Sequence, residues 1–181
     1  MSQFTAEQSA AIRAEFPELS ETVNGHPLVY LDTAATSLRP RVAVDIESEF
    51  ALRHTSAVYR GAHTLAAEAT EAYDDARATI AGFVGARPNQ LIFTSNATES
   101  LNLVALAIRL ASAVGSPARF ALREGDEIVV TEAEHHANLI PWQEVARQTG
   151  AIIRVAPVTD GGELTADAIA SVLTERTRIV A

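Results

Sequence analysis

The segment GDEIVVTEAEHHANLIPWQEVARQTGAIIRV, residues 125–155, decides the fold class. Residues 127–131 form a short run rich in β-branched side chains, which predicts a strand. Residues 138–149 predict a helix that ends at Gly150, and residues 151–155 predict a second strand. Because a helical crossover lets two strands run in the same direction, the segment predicts a parallel sheet with a helix on its face.

The same alternation continues on both sides of this segment. Upstream, residues 91–94 predict a strand and residues 97–109 predict a helix. Downstream, the turn Asp160-Gly161-Gly162 precedes a predicted helix at residues 165–173 and a predicted strand at residues 178–181. The repeated strand–helix pattern predicts an α/β fold, with a mostly parallel sheet and flanking helices.

The N-terminal half is predicted to be mainly helical. Thr5 and Gln8 have the spacing of a capping box, which predicts a helix start. The predicted elements are a helix at 5–16, a strand at 28–31, a helix from Pro40 to about Arg53, a helix at 65–84 that stops at Gly85, and an exposed loop at 110–126, where Gly115, Pro117 and Gly125 interrupt any period. We divide the chain into an N-terminal helical segment, residues 1–27, and one α/β domain, residues 28–181.

Composition restricts the classes of function. The 181-residue chain is 48% hydrophobic and has a formal net charge of −9, so we do not expect a basic surface for nucleic acid. Charged residues interrupt every apolar run before it reaches the length of a membrane span. The first ten residues, MSQFTAEQSA, lack the profile of a signal peptide. These features favour a cytoplasmic protein without nucleic-acid or membrane partners.

The chain contains neither lysine nor cysteine, and all 14 of its basic residues are arginine. A GC-rich genome is the ordinary reason for such a bias. The chemical consequence is the same in any case: these residues provide no ε-amine for a Schiff base and no thiol nucleophile. Disulfides and thiolate metal sites are excluded as well.

The motif Ser95-Asn96-Ala97-Thr98-Glu99 lies between a predicted strand and a predicted helix. Asn96 is predicted to cap the helix, and Glu99 to close a capping box. A helix start of this kind presents free backbone N–H groups and the positive end of the helix dipole, both of which suit a phosphate. The alternative is a plain capping box that binds no ligand.

The motif Glu134-His135-His136-Ala137-Asn138 follows the predicted strand at 127–131. Parallel sheets bind ligands at the carboxyl ends of their strands, where a histidine can stack on a ring or move a proton. Two alternatives stay open. One is a metal site, although adjacent residues of a strand point to opposite faces. The other is a structural histidine, especially at His136.

Two further motifs lie in the N-terminal half. YRGAHT, residues 59–64, places Arg60 and His63 before a predicted helix, where they could bind an anion, line an interface or remain solvated. YLDTAAT, residues 30–36, places the small residues Ala34 and Ala35 after a predicted strand. Small side chains there permit a ligand or backbone to approach closely, and an ordinary Asp/Thr turn is the alternative.

Together, the segments YLDTAAT, YRGAHTLAAEAT, LIFTSNATESLNLVA and GDEIVVTEAEHHANLIPWQ resemble class V aminotransferase-fold enzymes, which depend on pyridoxal 5′-phosphate. HHANLIPW and RGAHTL most resemble the Suf-type, or group II, cysteine desulfurases. The resemblance runs from about Leu28 to Ala181. It implies that residues 28–181 are the front, incomplete part of the large pyridoxal-phosphate-binding domain of a fold type I transferase.

The resemblance implies the following roles for the C-terminal motifs. Ala97 and Thr98 match the pair that holds the cofactor phosphate through backbone N–H groups and a hydroxyl. His135 matches the histidine that stacks on the pyridine ring and takes part in proton transfer, so it is both the cofactor-binding and the catalytic candidate. Asn138 lies in the same motif, and no role is implied for it.

The resemblance also covers the N-terminal motifs. Ala34 and Ala35 match small residues beside the substrate amino acid. Arg60 and His63 belong to a segment that lies near the active site and the dimer interface in the family. Tyr59 departs from the histidine often found at its position, so no role is carried over to it.

Family members bind the cofactor through a lysine that follows a Ser-Gly-His segment, and desulfurases use a cysteine on a later loop. The implied whole enzyme is a homodimer that converts L-cysteine to L-alanine and passes sulfur to a Suf-type acceptor protein for iron–sulfur cluster assembly. We expect this chain to be its N-terminal part, truncated at the apolar run 177–181 and inactive alone. A selenocysteine lyase, an aminotransferase or a short non-enzymatic partner module are the alternatives.

Overall fold

The computed structural model describes residues 4–114 and 120–181. They form two compact units, divided between Leu91 and Ile92, which we call unit 1 and unit 2. The sequence-based division at residue 27 stays a prediction. Among the described residues, no helix combines the length and the apolarity that a membrane crossing requires.

Unit 1 is mainly helical, as predicted. Its helices are α1 (Ala6–Ala14), α2 (Arg41–Arg53) and α3 (Thr64–Phe83), with 3₁₀ turns at Pro17–Ser20 and Pro88–Gln90. The capping box at the start of α1 is confirmed: the Thr5 hydroxyl accepts the Gln8 N–H at 3.2 Å, and the Gln8 side chain accepts the Thr5 N–H at 2.9 Å. This reciprocal pair satisfies two N–H groups that the helix itself leaves without acceptors.

The strand predicted at residues 28–31 is wrong. A short hairpin precedes it instead, in which β1 (Thr22–Val23) pairs antiparallel with β2 (His26–Pro27). Asn24 and Gly25 connect these strands with φ values of 54° and 79°, the left-handed conformation of a two-residue hairpin loop. Residues 28–31 have no strand partner among the described residues, and an apolar run forms a strand only where a second backbone completes its hydrogen bonds.

Unit 2 is built on a three-stranded parallel sheet with the order β4–β3–β5. The strands are β3 (Glu127–Thr131), β4 (Ile152–Ala156) and β5 (Thr177–Val180), and the helices are α4 (Ala97–Ala113), α5 (His136–Thr149) and α6 (Ala166–Val172). The predicted α/β architecture with a parallel sheet is therefore confirmed. The strand predicted at residues 91–94 is wrong, because that segment joins no ladder among the described residues.

The central strand β3 is buried on both faces. Ile128 and Val130 pack against Trp142 and Val145 of α5, in a core that also contains residues of α4. Val129 is equally buried but points to the opposite face of the sheet, since successive side chains of a strand alternate. Burial on both faces explains why the middle of β3, residues 128–130, is apolar without alternating polar residues.

The loop predicted at residues 110–126 is shorter and less exposed than expected. Helix α4 continues to Ala113, and Leu122 is buried in the core of unit 2. The Leu122 N–H donates a hydrogen bond to the Ser112 hydroxyl at 2.9 Å, which fixes this part of the connection against α4. Gly115 and Pro117, on which the prediction rested, lie outside the described residues.

Gly150 ends α5 as predicted. Its φ of 75° is left-handed, and its N–H donates to the Ala146 carbonyl at 2.9 Å. A Cβ at this position would lie 3.2 Å from the Cα of Glu124, so both conformation and space require glycine.

A buried carboxylate joins the three strands of the sheet. Glu127, at the start of β3, has 0% exposure. Its Oε1 accepts hydrogen bonds from Arg154 of β4 at 2.9 and 3.1 Å and from Arg176, just before β5, at 3.3 Å. Its Oε2 accepts the Thr174 hydroxyl at 2.6 Å. Both oxygens are therefore satisfied, as a buried charge requires.

These contacts lower the pKa of Glu127. The Thr174 hydroxyl has the largest effect and Arg154 the next, and together they outweigh the opposing effect of burial on the pKa. The carboxylate is thus ionised in the folded chain at neutral pH. Because folding lowers its pKa, ionised Glu127 stabilises the fold above its unfolded pKa of about 4.3, and this contribution is lost as the pH falls below that value.

We predict that Glu127→Gln lowers the melting temperature at pH 7, because an amide leaves two arginines without their carboxylate. The difference from the unmodified chain should shrink as the pH falls below about 4.3. Glu163→Gln is the matched control, since Glu163 is an exposed carboxylate of the same unit. Circular dichroism melts from pH 7 to pH 3 measure both effects. A difference that stays constant over this range would contradict the role given to the ionised form.

Candidate functional site

The start of α4 is held by two side chains. Asn96 is the N-cap, and its Oδ1 accepts the Glu99 N–H at 2.9 Å. The Glu99 carboxylate reaches back to the Ser95 N–H at 2.6 Å, one residue earlier than a standard capping box. The Ser95 backbone N–H is the main cause of the lowered pKa of Glu99, which keeps the carboxylate ionised and engaged with Ser95.

Ala97 and Thr98 follow this cap as the first two residues of α4. Their backbone N–H groups have no acceptor within the helix, because the first turn of any α-helix lacks one. Both residues are exposed. No described side chain bonds to the Thr98 hydroxyl, while the Thr98 carbonyl accepts the Asn102 side-chain amide at 2.8 Å. Two N–H groups, a hydroxyl and the dipole of a 17-residue helix form a donor set that fits a phosphate.

Helices α4 and α5 run side by side in the same direction. One cavity between them is lined by Asn102 of α4 and Ile140 of α5, and another, further along both helices, by Ser112 and Thr149. The N-termini of α4 and α5 therefore lie at the same end of unit 2. Since α5 begins shortly after β3 finishes, this is also the carboxyl end of β3.

His135 is the N-cap of α5. Its Nδ1 accepts the Ala137 N–H at 3.0 Å, and its ring remains exposed. The turn before it is closed by Glu134, whose carboxylate accepts the His135 N–H and the Thr131 hydroxyl, each at 3.2 Å. The sequence predicted the position of His135 after the strand, but the capping bond was not expected.

The remaining residues of this motif have structural contacts. His136 is the first residue of α5, and its ring centroid lies 6.5 Å from that of His135. The Asn138 side chain accepts the indole N–H of buried Trp142 at 3.0 Å, which accounts for an amide at this position. Among the described residues, no group of three or more His, Cys, Asp or Glu side chains is arranged to hold a metal ion.

Ala34 and Ala35 lie in an exposed turn of unit 1. The Asp32 carbonyl accepts the N–H groups of Ala35 and Thr36 at 3.0 and 3.1 Å. The Tyr30 hydroxyl donates to the Thr36 carbonyl at 2.5 Å and so fixes the end of the turn. The small side chains leave this stretch of backbone open to approach.

Arg60 and His63 precede α3 in the same unit. His63 is the N-cap of α3, and its Nδ1 accepts the Ala66 N–H at 3.4 Å. The Arg60 guanidinium is exposed, and none of the described acidic side chains forms an ion pair with it. Gly61 between them is required, because a Cβ there would lie 2.5 Å from the Cβ of Ala66.

Tyr59 holds this turn in place, which sequence reasoning missed. Its φ is 61°, unusual for a residue other than glycine. Its N–H donates to the Thr70 hydroxyl at 3.0 Å, and its phenol donates to the Asp74 carboxylate. The hydrogen bond to Asp74 is the largest cause of the raised pKa of Tyr59. These partners lie 11 and 15 residues along the chain, so no local pattern indicates them.

The structure thus brings part of the predicted site together. Ala97, Thr98 and His135 lie at one end of unit 2. Ala34, Ala35, Arg60 and His63 all belong to unit 1, where no hydrogen bond or ion pair among the described residues joins the two motifs. Within unit 2, the start of α4 has the donors to bind an anion, and the His135 ring is exposed at the same end of the unit.

A family model and curated relatives both match this chain over most of its length. The model of the aminotransferase class-V family matches residues 29–181. A probable cysteine desulfurase from Mycolicibacterium paratuberculosis is 46% identical over 173 residues, which cover 95% of this chain and 24% of that protein. A probable cysteine desulfurase from Vibrio cholerae is 46% identical over 172 residues, which cover 94% of this chain and 40% of that protein.

A solved structure agrees in fold. The apo structure of a cysteine desulfurase from Thermococcus onnurineus NA1 has a TM-score of 0.80 and 32% sequence identity, over 99% of this chain and 40% of the solved one. The chain spans less than half the length of each of these relatives. Its α/β fold is that of solved cysteine desulfurases, and the chain belongs to the class V aminotransferase family.

Proposed function

We propose that this chain is the cofactor-phosphate-binding part of a pyridoxal-phosphate-dependent cysteine desulfurase of the Suf type. The start of α4 is the observation that carries the proposal, because Ala97 and Thr98 present free N–H donors there. The similarity to cysteine desulfurases supports L-cysteine as the substrate of the whole enzyme. The proposal includes a cytoplasmic homodimer that passes sulfur to a Suf-type acceptor protein for iron–sulfur cluster assembly.

The donor set at α4 matches the phosphate of pyridoxal phosphate. Ala97 and Thr98 would hold it through two backbone N–H groups and a hydroxyl, while Glu99 stays bonded to Ser95 and leaves these donors available. His135, at the same end of unit 2, would stack on the pyridine ring. Bound pyridoxal phosphate supplies an electron sink for reactions at the α-carbon of an amino acid.

The N-terminal motifs are proposed to serve the substrate. Ala34 and Ala35 would lie beside the amino acid, where small side chains leave room for it. Arg60, exposed and without an ion pair among the described acidic groups, would attract a carboxylate, and His63 would fix the start of α3 next to it. The reactive amine and thiol of the reaction come from groups other than these 181 residues, since the chain has no lysine and no cysteine.

We predict that Ala97→Pro weakens the binding of pyridoxal phosphate by about tenfold, because it removes one N–H donor to a charged group. Proline is tolerated at the first position of a helix, and Asn96 already has the extended backbone that a following proline favours. The fold should therefore survive. Isothermal titration calorimetry measures the affinity, and pyridoxal without phosphate should bind equally weakly to both chains.

Ala166→Pro is the matched control, because Ala166 is the first residue of α6 and follows an extended Thr165. It should leave the affinity for pyridoxal phosphate unchanged. Equal affinities of the unmodified chain and Ala97→Pro, with both folded, would rule out the start of α4 as the phosphate site.

We also predict that the chain with added pyridoxal phosphate forms no alanine or sulfide from L-cysteine above the level of free cofactor. The reason is chemical, since neither an ε-amine nor a thiol is present. Amino-acid analysis and a sulfide assay measure the products. Turnover of the chain above the free-cofactor rate would contradict the proposal that the reactive groups lie elsewhere.

A further inference from the structure

His135 uses one ring nitrogen to cap α5. Its Nδ1 lies 3.0 Å from the backbone nitrogen of Ala137 and accepts the N–H of that residue. A ring nitrogen accepts a hydrogen bond only when it carries no proton. In the neutral ring the proton must then be on Nε2, which is the nitrogen away from the helix.

We infer that the start of α5 holds neutral His135 in the Nε2–H tautomer, so that the nitrogen facing away from the helix is a hydrogen-bond donor. The inference rests on the proposed function in one respect, which is that His135 faces the cofactor. It adds to the two roles that the family resemblance implies for this residue, ring stacking and proton transfer, by naming the ring nitrogen that carries the proton in the neutral form. Ala137 is accordingly a positioning residue, acting through its N–H.

The capping bond and a second proton on the ring compete for the same lone pair, that of Nδ1. Nε2 already carries a proton and has no lone pair to accept another, and loss of that proton would leave an imidazolate anion. Protonation at Nδ1 would displace the Ala137 N–H and leave it unpaired in the first turn of α5.

Two titratable groups, Glu134 and His136, lie next to His135 in the chain. The carboxylate of Glu134 already accepts the Thr131 hydroxyl and the His135 backbone N–H. The ring of His136 is a second titratable group, and its centroid is 6.5 Å from that of His135. Neither hydrogen bond of Glu134 involves Nδ1 of His135.

His54 in unit 1 is a comparison for His135, because its Nδ1 has an acceptor as its partner instead of a donor. Nδ1 of His54 lies 3.2 Å from the carboxylate of Glu68. A carboxylate accepts and does not donate, so this Nδ1 must carry the proton, and neutral His54 is the Nδ1–H tautomer. His63 repeats the arrangement of His135 with a longer bond of 3.4 Å to Ala66. Both neutral tautomers are therefore expected within one protein.

Long-range ¹H–¹⁵N correlation spectra of the labelled 181-residue chain test this inference. They are recorded at pH 8, well above the ordinary histidine pKa of about 6.5. His135 should show a pyridine-type Nδ1 and a pyrrole-type Nε2, and His54 should show the reverse. The His135 signals are identified by their loss in His135→Asn. A protonated Nδ1 at His135, or an even mixture of tautomers, would overturn the inference.

A pair of variants tests the cap itself. Asparagine is a strong N-cap and alanine is a poor one, so His135→Asn should keep the melting temperature and His135→Ala should lower it by a few degrees. Equal melting temperatures for the two variants would overturn the capping role.

The readouts also separate this inference from the proposed function. The tautomer is measured without cofactor, so a failed phosphate site at α4 would leave it unchanged. Mixed tautomers, in turn, would not affect binding of pyridoxal phosphate at Ala97 and Thr98.

Discussion

Glu127 is a carboxylate without exposed surface at the start of the central strand, and both neighbouring strands are tied to it. Arg154 approaches from β4, while Thr174 and Arg176 approach from the turn before β5. The backbone N–H of Glu127 also donates to the Arg176 carbonyl at 2.9 Å. A buried charge with one partner missing is costly, so the network favours a single register of the three strands. That register determines where β3 ends.

The end of β3 determines the position of the candidate site. Four residues after β3, the chain turns through His135 into α5, and α4 lies alongside in the same direction. Two helix N-termini thus reach one end of the sheet. Their chemistry differs: Ala97 and Thr98 of α4 present N–H groups that suit an anion, whereas α5 uses the Ala137 N–H to hold an imidazole. One end of the sheet therefore combines the electropositive start of α4 with the histidine ring that caps α5.

Local patterns predicted the features that local physics controls. The capping box at Thr5, the end of α5 at Gly150 and the buried run of β3 each depend on a few adjacent residues, and each is confirmed. Residues 28–31 and 91–94 have strand-like composition but lack a partner strand among the described residues, and composition cannot supply one. Glu127 was missed because its partners are 27 to 49 residues away in the chain. The candidate site residues were assigned by resemblance and stay predictions, while the capping roles of His63 and His135 required coordinates.

The central claim is that the start of α4 binds the cofactor phosphate. The most direct measurement is a ¹H–¹⁵N correlation titration of the chain with pyridoxal phosphate, with inorganic phosphate as the reference ligand. We expect the amide signals of Ala97 and Thr98 to shift most, and both ligands to shift them in the same direction. Saturable shifts confined to other amides, with Ala97 and Thr98 unchanged, would contradict it.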